Sequence, residues 1–286
     1  MADKAEMVAQ SHSVDLPGGQ FHYLSWGAER TERAAAVLLH GITSSAQSWV
    51  RVGPALADRY RVYALDLRGH GDSVKPAAGA YSLRHTADDA AAFIETLDLE
   101  RPLLVGHSWG GATAIVLASG AGSQQSAPNL SGVILEDPAY KIGGGKGSAE
   151  EQAASFIKDI GRPDEELRPE IKASSPGWTE ADIEGKIDAL RKVSREAVIS
   201  VFADTKQHGS LLPLLSDIAA PTLLIRADPA LGSTMDEAAW AQAIEYLPEH
   251  SWAVQLNGAT HNIHRSKFDE FVRVVNDFLV QEKGRK

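Results

Sequence analysis

The sequence contains no cysteine. This absence excludes disulfide bonds, thiolate metal ligands and a cysteine nucleophile, and it is consistent with a reducing compartment. No apolar run approaches 18 residues, so the sequence predicts no membrane-spanning helix. Residues 1–10 are polar and lack the apolar segment of a signal peptide. We therefore expect a cytoplasmic protein.

Positive charge is also scarce, with 28 Lys and Arg residues against 38 Asp and Glu residues and a net charge of −10. Such a surface repels nucleic-acid phosphates and anionic lipid, so we expect neither nucleic acid nor membrane as a partner. The histidines lack the spacing of metal ligands, and we expect no metal and no cofactor. The 286 residues, 43% of them hydrophobic, are enough to bury a sizeable globular core.

Short apolar runs alternate with helical patterns along most of the chain. The predicted strands are residues 21–26, 35–39, 61–67, 102–105, 132–135, 222–225 and 252–256. The predicted helices are residues 86–97, with Thr86 as the cap, 110–119, 236–247 and 268–280. Continuous apolar runs of this length are typical of strands buried on both faces of a parallel sheet. The alternation of strands and helices predicts a doubly wound α/β fold.

Residues 140–213 break this rhythm, because they contain no convincing strand pattern. The segment opens with the glycine-rich stretch 143–148. Charged helical patterns follow at residues 149–159, 163–173 and 179–198. We interpret the segment as a helical insertion between two strands rather than as an independent domain.

A Gly-x-Ser-x-Gly motif directly follows the predicted strand 102–105. It consists of Gly106, Ser108 and Gly110, and it leads into a helical pattern of small residues. In this setting the serine lies on a sharp, strained turn, and its neighbours must be glycine because backbones approach closely. The start of the following helix offers unpaired N–H groups to a developing oxyanion. The motif alone is weak, but its position between a strand and a helix predicts Ser108 as a nucleophile.

Together with three further segments, this motif makes the chain resemble the α/β-hydrolase superfamily over nearly its whole length. The segments are His-Gly-Ile-Thr-Ser-Ser at 40–45, Asp-Leu-Arg-Gly-His-Gly-Asp-Ser at 66–73, and Gly-Ala-Thr-His at 258–261. The resemblance implies a mostly parallel, doubly wound sheet with a helical cap. The core would be residues 1–139 and 214–286, and the cap would be residues 140–213. The segments are much less specific for a substrate than for the fold.

The resemblance also implies roles for residues around the nucleophile. The backbone N–H groups of Ile42 and Trp109 would form the oxyanion hole, so their side chains matter mainly as pocket walls. His261 would accept the proton of Ser108 and pass it to the leaving group. His264, three residues later, is the competing candidate for this base.

The acid that orients the base has two candidate positions, because superfamily members carry it after either of two strands. After the penultimate predicted strand the usual spacing falls on Ala230, which is no acid, and Asp228 would need a shifted loop. After the strand 132–135 the spacing falls on Asp137. Its neighbour Glu136 points to the opposite face, because side chains alternate along a strand. We favour Asp137 and keep Asp228 as the alternative.

No cluster of Lys or Arg marks a clamp for carboxylate or phosphate, which favours a neutral, partly apolar substrate. The implied reaction is hydrolysis of a carboxylic ester or lactone through an acyl-enzyme. Hydrolysis of C–C bonds, perhydrolysis, and a small-molecule receptor or regulator with slow turnover are the alternatives. The candidates to contact the substrate are Trp49, Tyr140 and Trp178, with Phe156, Leu190 and Phe202 as further apolar residues of the cap.

Overall fold

The computed structural model describes residues 7–121, 127–142, 146–205 and 209–284, so part of the glycine-rich stretch lies outside the described residues. The strands are β1 Gln10–Leu16, β2 Gly19–Trp26, β3 Ala34–Leu39, β4 Tyr60–Leu65, β5 Leu103–His107, β6 Gly132–Glu136, β7 Thr222–Arg226 and β8 Trp252–Gln255. They form one sheet in the order β1-β2-β4-β3-β5-β6-β7-β8. β2 pairs antiparallel with β1 and β4, and every other pair is parallel. The predicted α/β class and the mostly parallel sheet are confirmed.

The helices of the described ranges are α1 Val52–Leu56, α2 Leu83–Thr96, α3 Trp109–Ser119, α4 Ala149–Ile157, α5 Asp164–Ser174, α6 Glu180–Lys192, α7 Arg195–Asp204, α8 Glu237–Tyr246, α9 Ile263–Ser266 and α10 Phe268–Gly284. Apolar side chains of α2, α3 and α8 pack on one face of the sheet. Those of α1, α9 and α10 pack on the other face. The sheet is therefore covered on both faces, as the doubly wound prediction requires. No helix of the described residues is long and apolar enough to cross a membrane.

Strand β3 shows why an uninterrupted apolar run suits this position. Val37 and Leu39 join the core on one face of the sheet, and Ala36 and Leu38 join the core on the other. All four side chains are fully buried. Side chains alternate between the two faces of a strand, so a strand covered on both sides needs apolar residues at every position.

The start of α2 differs from the prediction. Ser82 caps this helix, since its side chain accepts a hydrogen bond from the His85 N–H group. Thr86 is buried inside the helix, where its hydroxyl donates to the Leu83 carbonyl and lies 3.0 Å from the Thr113 hydroxyl on α3. The prediction of Thr86 as the cap is therefore wrong, and the helix begins earlier.

Helices α4 to α7 lie between β6 and β7, in the segment that sequence patterns marked as an insertion. Helix α4 packs on α7, and α5 packs on α6, each pair around its own apolar cluster. The predicted helical stretch 179–198 is two helices rather than one. The chain is extended at Val193, and Ser194 caps α7 by accepting from the Ala197 N–H group. The Lys141–Ser210 bridge joins the two ends of this segment.

Candidate active site

Ser108 lies on the turn between β5 and α3 with φ 53° and ψ −115°, a conformation that side-chain-bearing residues rarely adopt. The glycines on either side leave room for this turn. A Cβ atom at Gly106 would lie 2.4 Å from the Gly110 carbonyl oxygen, and one at Gly110 would lie 2.2 Å from the Leu39 carbonyl oxygen. The Gly-x-Ser-x-Gly pattern is thus required by the close packing of β3, β5 and α3.

A histidine and a buried carboxylate meet beside this turn. The Nδ1 atom of His261 lies 2.6 Å from an oxygen of Asp137, which is fully buried directly after β6. The same carboxylate accepts hydrogen bonds from the Ala227 N–H, the Ser233 hydroxyl and the Thr234 N–H groups. These donors hold the carboxylate in place. The contact through Nδ1 leaves Nε2 of the His261 ring available to act as a base.

Asp228, the alternative acid, makes other contacts. Its carboxylate accepts hydrogen bonds from the Ala230 N–H group, at 2.9 Å, and from the Gly258 N–H group, at 2.8 Å. The hydrogen bond from Gly258 is the main reason that the pKa of Asp228 lies below its ordinary value, and the bond from Ala230 adds to the effect. The structure therefore brings Asp137, and not Asp228, into contact with His261.

His264, the alternative base, forms a second and separate pair with Glu136. The Glu136 carboxylate accepts from the His264 N–H group at 2.9 Å and lies 2.8 Å from its Nδ1 atom. Both side chains are buried, and burial lowers the pKa of His264 well below its ordinary value while raising that of Glu136. The His264 ring stacks on Trp49 at a centroid distance of 4.5 Å. Glu136 and Asp137 thus engage different histidines.

The loop after β3 carries hydrogen bonds that hold its backbone on both sides of Ile42. The Nδ1 atom of His40 lies 2.8 Å from the Gly41 carbonyl oxygen, and the Thr43 N–H group donates to Nε2 of His70. The Ile42 N–H group has no hydrogen-bond partner among the described residues. The Trp109 N–H group belongs to the first residue of α3, where helical N–H groups have no partner within the helix. Two N–H groups near Ser108 are therefore available to a ligand.

His70 predicts a pH dependence of stability. Burial lowers the pKa of His70 to about 3, so the folded protein holds this ring neutral where the unfolded chain, with a pKa near 6.5, already binds a proton. The free energy of unfolding should therefore fall as pH decreases from about 6.5 towards 3, and this residue should contribute up to about 1.4 kcal/mol per pH unit. Urea unfolding of the wild type and of His70→Gln between pH 7.5 and 5 measures the effect.

The glutamine amide can accept the hydrogen bond from the Thr43 N–H group but cannot bind a proton. We expect the stability of His70→Gln to fall less steeply with decreasing pH than that of the wild type. Parallel curves for the two proteins would contradict the prediction, because other buried histidines and carboxylates titrate equally in both.

A cavity of about 330 Å³ lies above Ser108. It is lined by Ile42, Ser108, Trp109, Ala139, Tyr140, Lys141, Ile142, Phe156, Val201, Phe202, Gly232, Thr234 and His261. No hydrogen bond joins the Ser108 and His261 side chains in the described structure, and such bonds are often long until a substrate binds. The arrangement brings a serine hydroxyl, a histidine ring and two free N–H groups to one mainly apolar space.

Among the residues expected to contact a substrate, Tyr140, Phe156 and Phe202 line the cavity. The expectation for two tryptophans is corrected. Trp49 is fully buried against His264, and Trp178 lies under the Arg265 guanidinium, 4.3 Å from the ring centroid.

Leu190 is also absent from the cavity wall, because it belongs to the apolar cluster between α5 and α6. Six residues that line the cavity were not predicted from the sequence, namely Ala139, Lys141, Ile142, Val201, Gly232 and Thr234. The first three lie shortly after Asp137, so their proximity to a predicted site residue is a sequence signal. The other three are brought to the cavity by packing between distant segments.

Comparison with known proteins agrees with this architecture. The model of the alpha/beta hydrolase family matches residues 36–274. N-formylmaleamate deformylase of Pseudomonas putida is 27% identical over 268 residues, covering 93% of this chain and 95% of that protein. 2-(Acetamidomethylene)succinate hydrolase of Mesorhizobium japonicum is 26% identical over 254 residues, covering 85% and 87%. A crystal structure of E-2-(acetamidomethylene)succinate hydrolase superposes with a TM-score of 0.77 at 21% identity, covering 95% of this chain and 99% of that one.

Proposed function

Since this chain belongs to the alpha/beta hydrolase family, we propose that it is a serine hydrolase that cleaves a carboxylic ester or lactone through an acyl-enzyme on Ser108. One observation carries the proposal. The His261 ring, held at 2.6 Å by the buried carboxylate of Asp137, lines the same cavity as Ser108. A nucleophile, a base and a group that orients the base are the parts that acyl transfer to serine requires.

In the acylation step the Ser108 hydroxyl oxygen attacks the carbonyl carbon of the substrate, and its proton passes to Nε2 of His261. Asp137 stays ionised, holds the Nδ1–H group and stabilises the imidazolium that forms. The N–H groups of Ile42 and Trp109 bind the oxyanion. The bond between the carbonyl carbon and the leaving oxygen then breaks, and His261 donates its proton to that oxygen.

In the deacylation step a water molecule attacks the acyl carbon and His261 takes a proton from it. The second oxyanion collapses, the bond to Ser108 breaks, and the serine oxygen regains its proton from His261. An ester substrate releases the alcohol before this step. A lactone keeps the alcohol on its acyl chain, so a single hydroxy acid leaves at the end.

The cavity walls support a neutral, partly apolar acyl group. The aromatic and aliphatic side chains of Trp109, Phe156, Val201 and Phe202 supply much of the lining. Lys141 is the only Lys or Arg on the wall among the described residues, and its side chain is exposed. One exposed ammonium group does not form the bidentate clamp that binds a carboxylate tightly.

Amide hydrolysis is the second candidate, and the comparisons supply the reason. Two relatives that align over most of the chain are named as a deformylase of an N-formyl compound and as a hydrolase of an acetamido compound. The same residues of this chain can cleave an amide when His261 protonates the leaving nitrogen. An ester panel with matched amides separates the two candidates.

The test uses p-nitrophenyl esters with acyl chains of increasing length, the matching p-nitroanilides, and simple lactones. We expect turnover of esters, with a burst of p-nitrophenol if deacylation is slow, and an acyl adduct on Ser108 by mass spectrometry. Turnover of anilides but not of esters would favour the amide candidate. An unreactive Ser108, probed with a fluorophosphonate, together with no turnover of any substrate, would overturn the proposal.

Phe202 tests the assignment of the cavity wall. Replacing Phe202 by alanine should enlarge the space for the acyl chain, so kcat/KM for longer acyl esters should rise about tenfold relative to acetate. The same ester panel measures the ratio. Ile199→Ala is the matched control, because Ile199 lies on the same helix and packs within the cap but does not line the cavity. The assignment is wrong if both variants shift the ratio equally.

A further inference from the structure

Lys186 of the cap helix α6 reaches the loop that carries the proposed oxyanion donor. Its Nζ atom donates to the Thr43 carbonyl oxygen at 2.7 Å and to the Thr43 hydroxyl oxygen at 2.9 Å. Thr43 directly follows Ile42, whose N–H group is free. Lys186 itself does not line the cavity. Both of its hydrogen bonds to this loop are made to Thr43.

Thr43 is in a conformation that needs support. Its φ is 55°, in the left-handed region that β-branched residues rarely adopt. Such a residue persists only when its surroundings hold it, and residues of this kind cluster at functional sites. Two groups hold Thr43. His70 accepts a hydrogen bond from the Thr43 N–H group, and Lys186 donates hydrogen bonds to the Thr43 carbonyl and hydroxyl oxygens.

Lys186 has no carboxylate partner at hydrogen-bond distance among the described residues. Burial is the largest cause that lowers the pKa of Lys186, to about 7. The charge of Arg265 lowers this pKa further, and the charge of Asp159 raises it. Lys192, on the same helix, bonds instead to Asp72 and Asp188. Lys186 is half-buried, and removing an amine from water without a carboxylate partner is unfavourable for folding, which points to a role other than stability.

We propose that Lys186 is a positioning residue that holds Thr43 in its left-handed conformation and thereby keeps the Ile42 N–H group directed at the oxyanion. The inference rests on the proposed function, because it assigns a role within the oxyanion hole of Ser108. Since Lys186 belongs to the cap, the hole is complete only while α6 lies over the loop.

The absence of cysteine from the chain permits a chemical test. In Lys186→Cys the introduced thiol is unique, and its thiolate displaces bromide from 2-bromoethylamine to form a thioether that ends in an amine at the position of Nζ. Alkylation with 1-bromopropane gives a side chain of equal length without the amine. The two products differ only in the terminal group, which is an amine that donates hydrogen bonds in one and a methyl group in the other.

The readouts are the rate constant of the acylation burst with a p-nitrophenyl ester, the substrate dissociation constant from the concentration dependence of that burst, and the rate at which a fluorophosphonate labels Ser108. The propyl form should acylate about tenfold to a hundredfold more slowly than the wild type, because an oxyanion donor is displaced. The dissociation constant should change little, since Lys186 does not touch the cavity. The aminoethyl form should recover most of the rate. Lys192→Cys, alkylated in the same two ways, should stay close to the wild type in both forms.

Equal acylation rates in the propyl and aminoethyl forms would overturn the inference, as would a loss that the amine does not restore. If the cysteine variant does not fold, Lys186→Met provides a side chain of similar length without the amine, and its acylation rate is compared with that of the wild type. Thermal unfolding verifies that the methionine variant is folded. A wild type that neither shows a burst nor reacts with the fluorophosphonate would instead refute the proposed function, and the role of Lys186 would fall with it. A wild type that reacts normally beside an unaffected propyl form would refute the role of Lys186 alone.

Discussion

Replacing Ser108 by alanine is expected to lower kcat by about a millionfold, the loss that follows removal of a serine nucleophile activated by histidine. Without the hydroxyl no acyl-enzyme forms, and only oxyanion binding and substrate positioning remain to catalyse attack by water. The strained turn at Ser108 is held by backbone contacts, including the bond from its N–H group to the Glu136 carbonyl, so the variant should fold normally. Steady-state ester turnover by the purified proteins measures the effect.

Ser82→Ala is the matched control for this variant. Ser82 caps α2 and does not line the cavity, so its loss should cost about 1 kcal/mol of stability and leave kcat unchanged. A Ser108→Ala variant that keeps more than about a hundredth of the wild-type rate would mean that another group is the nucleophile. A wild type that is inert towards esters and amides, yet unfolds at a higher temperature with one particular ligand, would favour a receptor over an enzyme.

Apolar runs predicted the buried part of the fold well, because a strand covered on both faces must be apolar at every position. The same reasoning could not find β1. This strand, Gln10–Leu16, lies at the edge of the sheet and is mostly exposed, so its sequence QSHSVDL carries few apolar residues. What identifies β1 as a strand is its antiparallel pairing with β2, in which Val14 lies opposite Phe21. This pairing exists only in the folded hairpin, so the sequence pattern does not show it.

Local motifs placed Ser108 and His261 beside one cavity because each lies in a short segment whose backbone geometry demands particular residues. For the acid, the spacing after a strand favoured Asp137 but left Asp228 as an alternative. Asp137 and Asp228 both follow the carboxyl ends of neighbouring parallel strands, β6 and β7. Which of the two carboxylates reaches His261 depends on the path of the loop after each strand. The loop after β7 turns so that Asp228 bonds its own Ala230 and the distant Gly258. This path depends on tertiary contacts that the sequence pattern does not show.

The walls of the cavity were predicted least well, because they depend on how the cap helices lie over the core. Trp49 lies close in sequence to a predicted site segment and Trp178 lies in the predicted helical insertion, yet both pack elsewhere. The contact between Lys186 and Thr43 joins residues 143 positions apart in the chain. No periodicity or motif predicts a pair at such a separation, and only the folded structure brings the two residues together.

Asp137→Asn is expected to lower kcat by about ten-thousandfold while Asp228→Asn keeps a rate close to the wild type. The carboxylate of Asp137 receives donors at both oxygens, from Ala227 and Ser233 on one and from Thr234 and His261 on the other. An amide therefore sets its NH2 group against a donor in either orientation, and the His261 ring loses the partner that fixes its tautomer. Ester kinetics of the two variants, with thermal unfolding to verify folding, test whether Asp137 or Asp228 orients His261. A loss of activity confined to Asp228→Asn would assign the acid to the loop after β7.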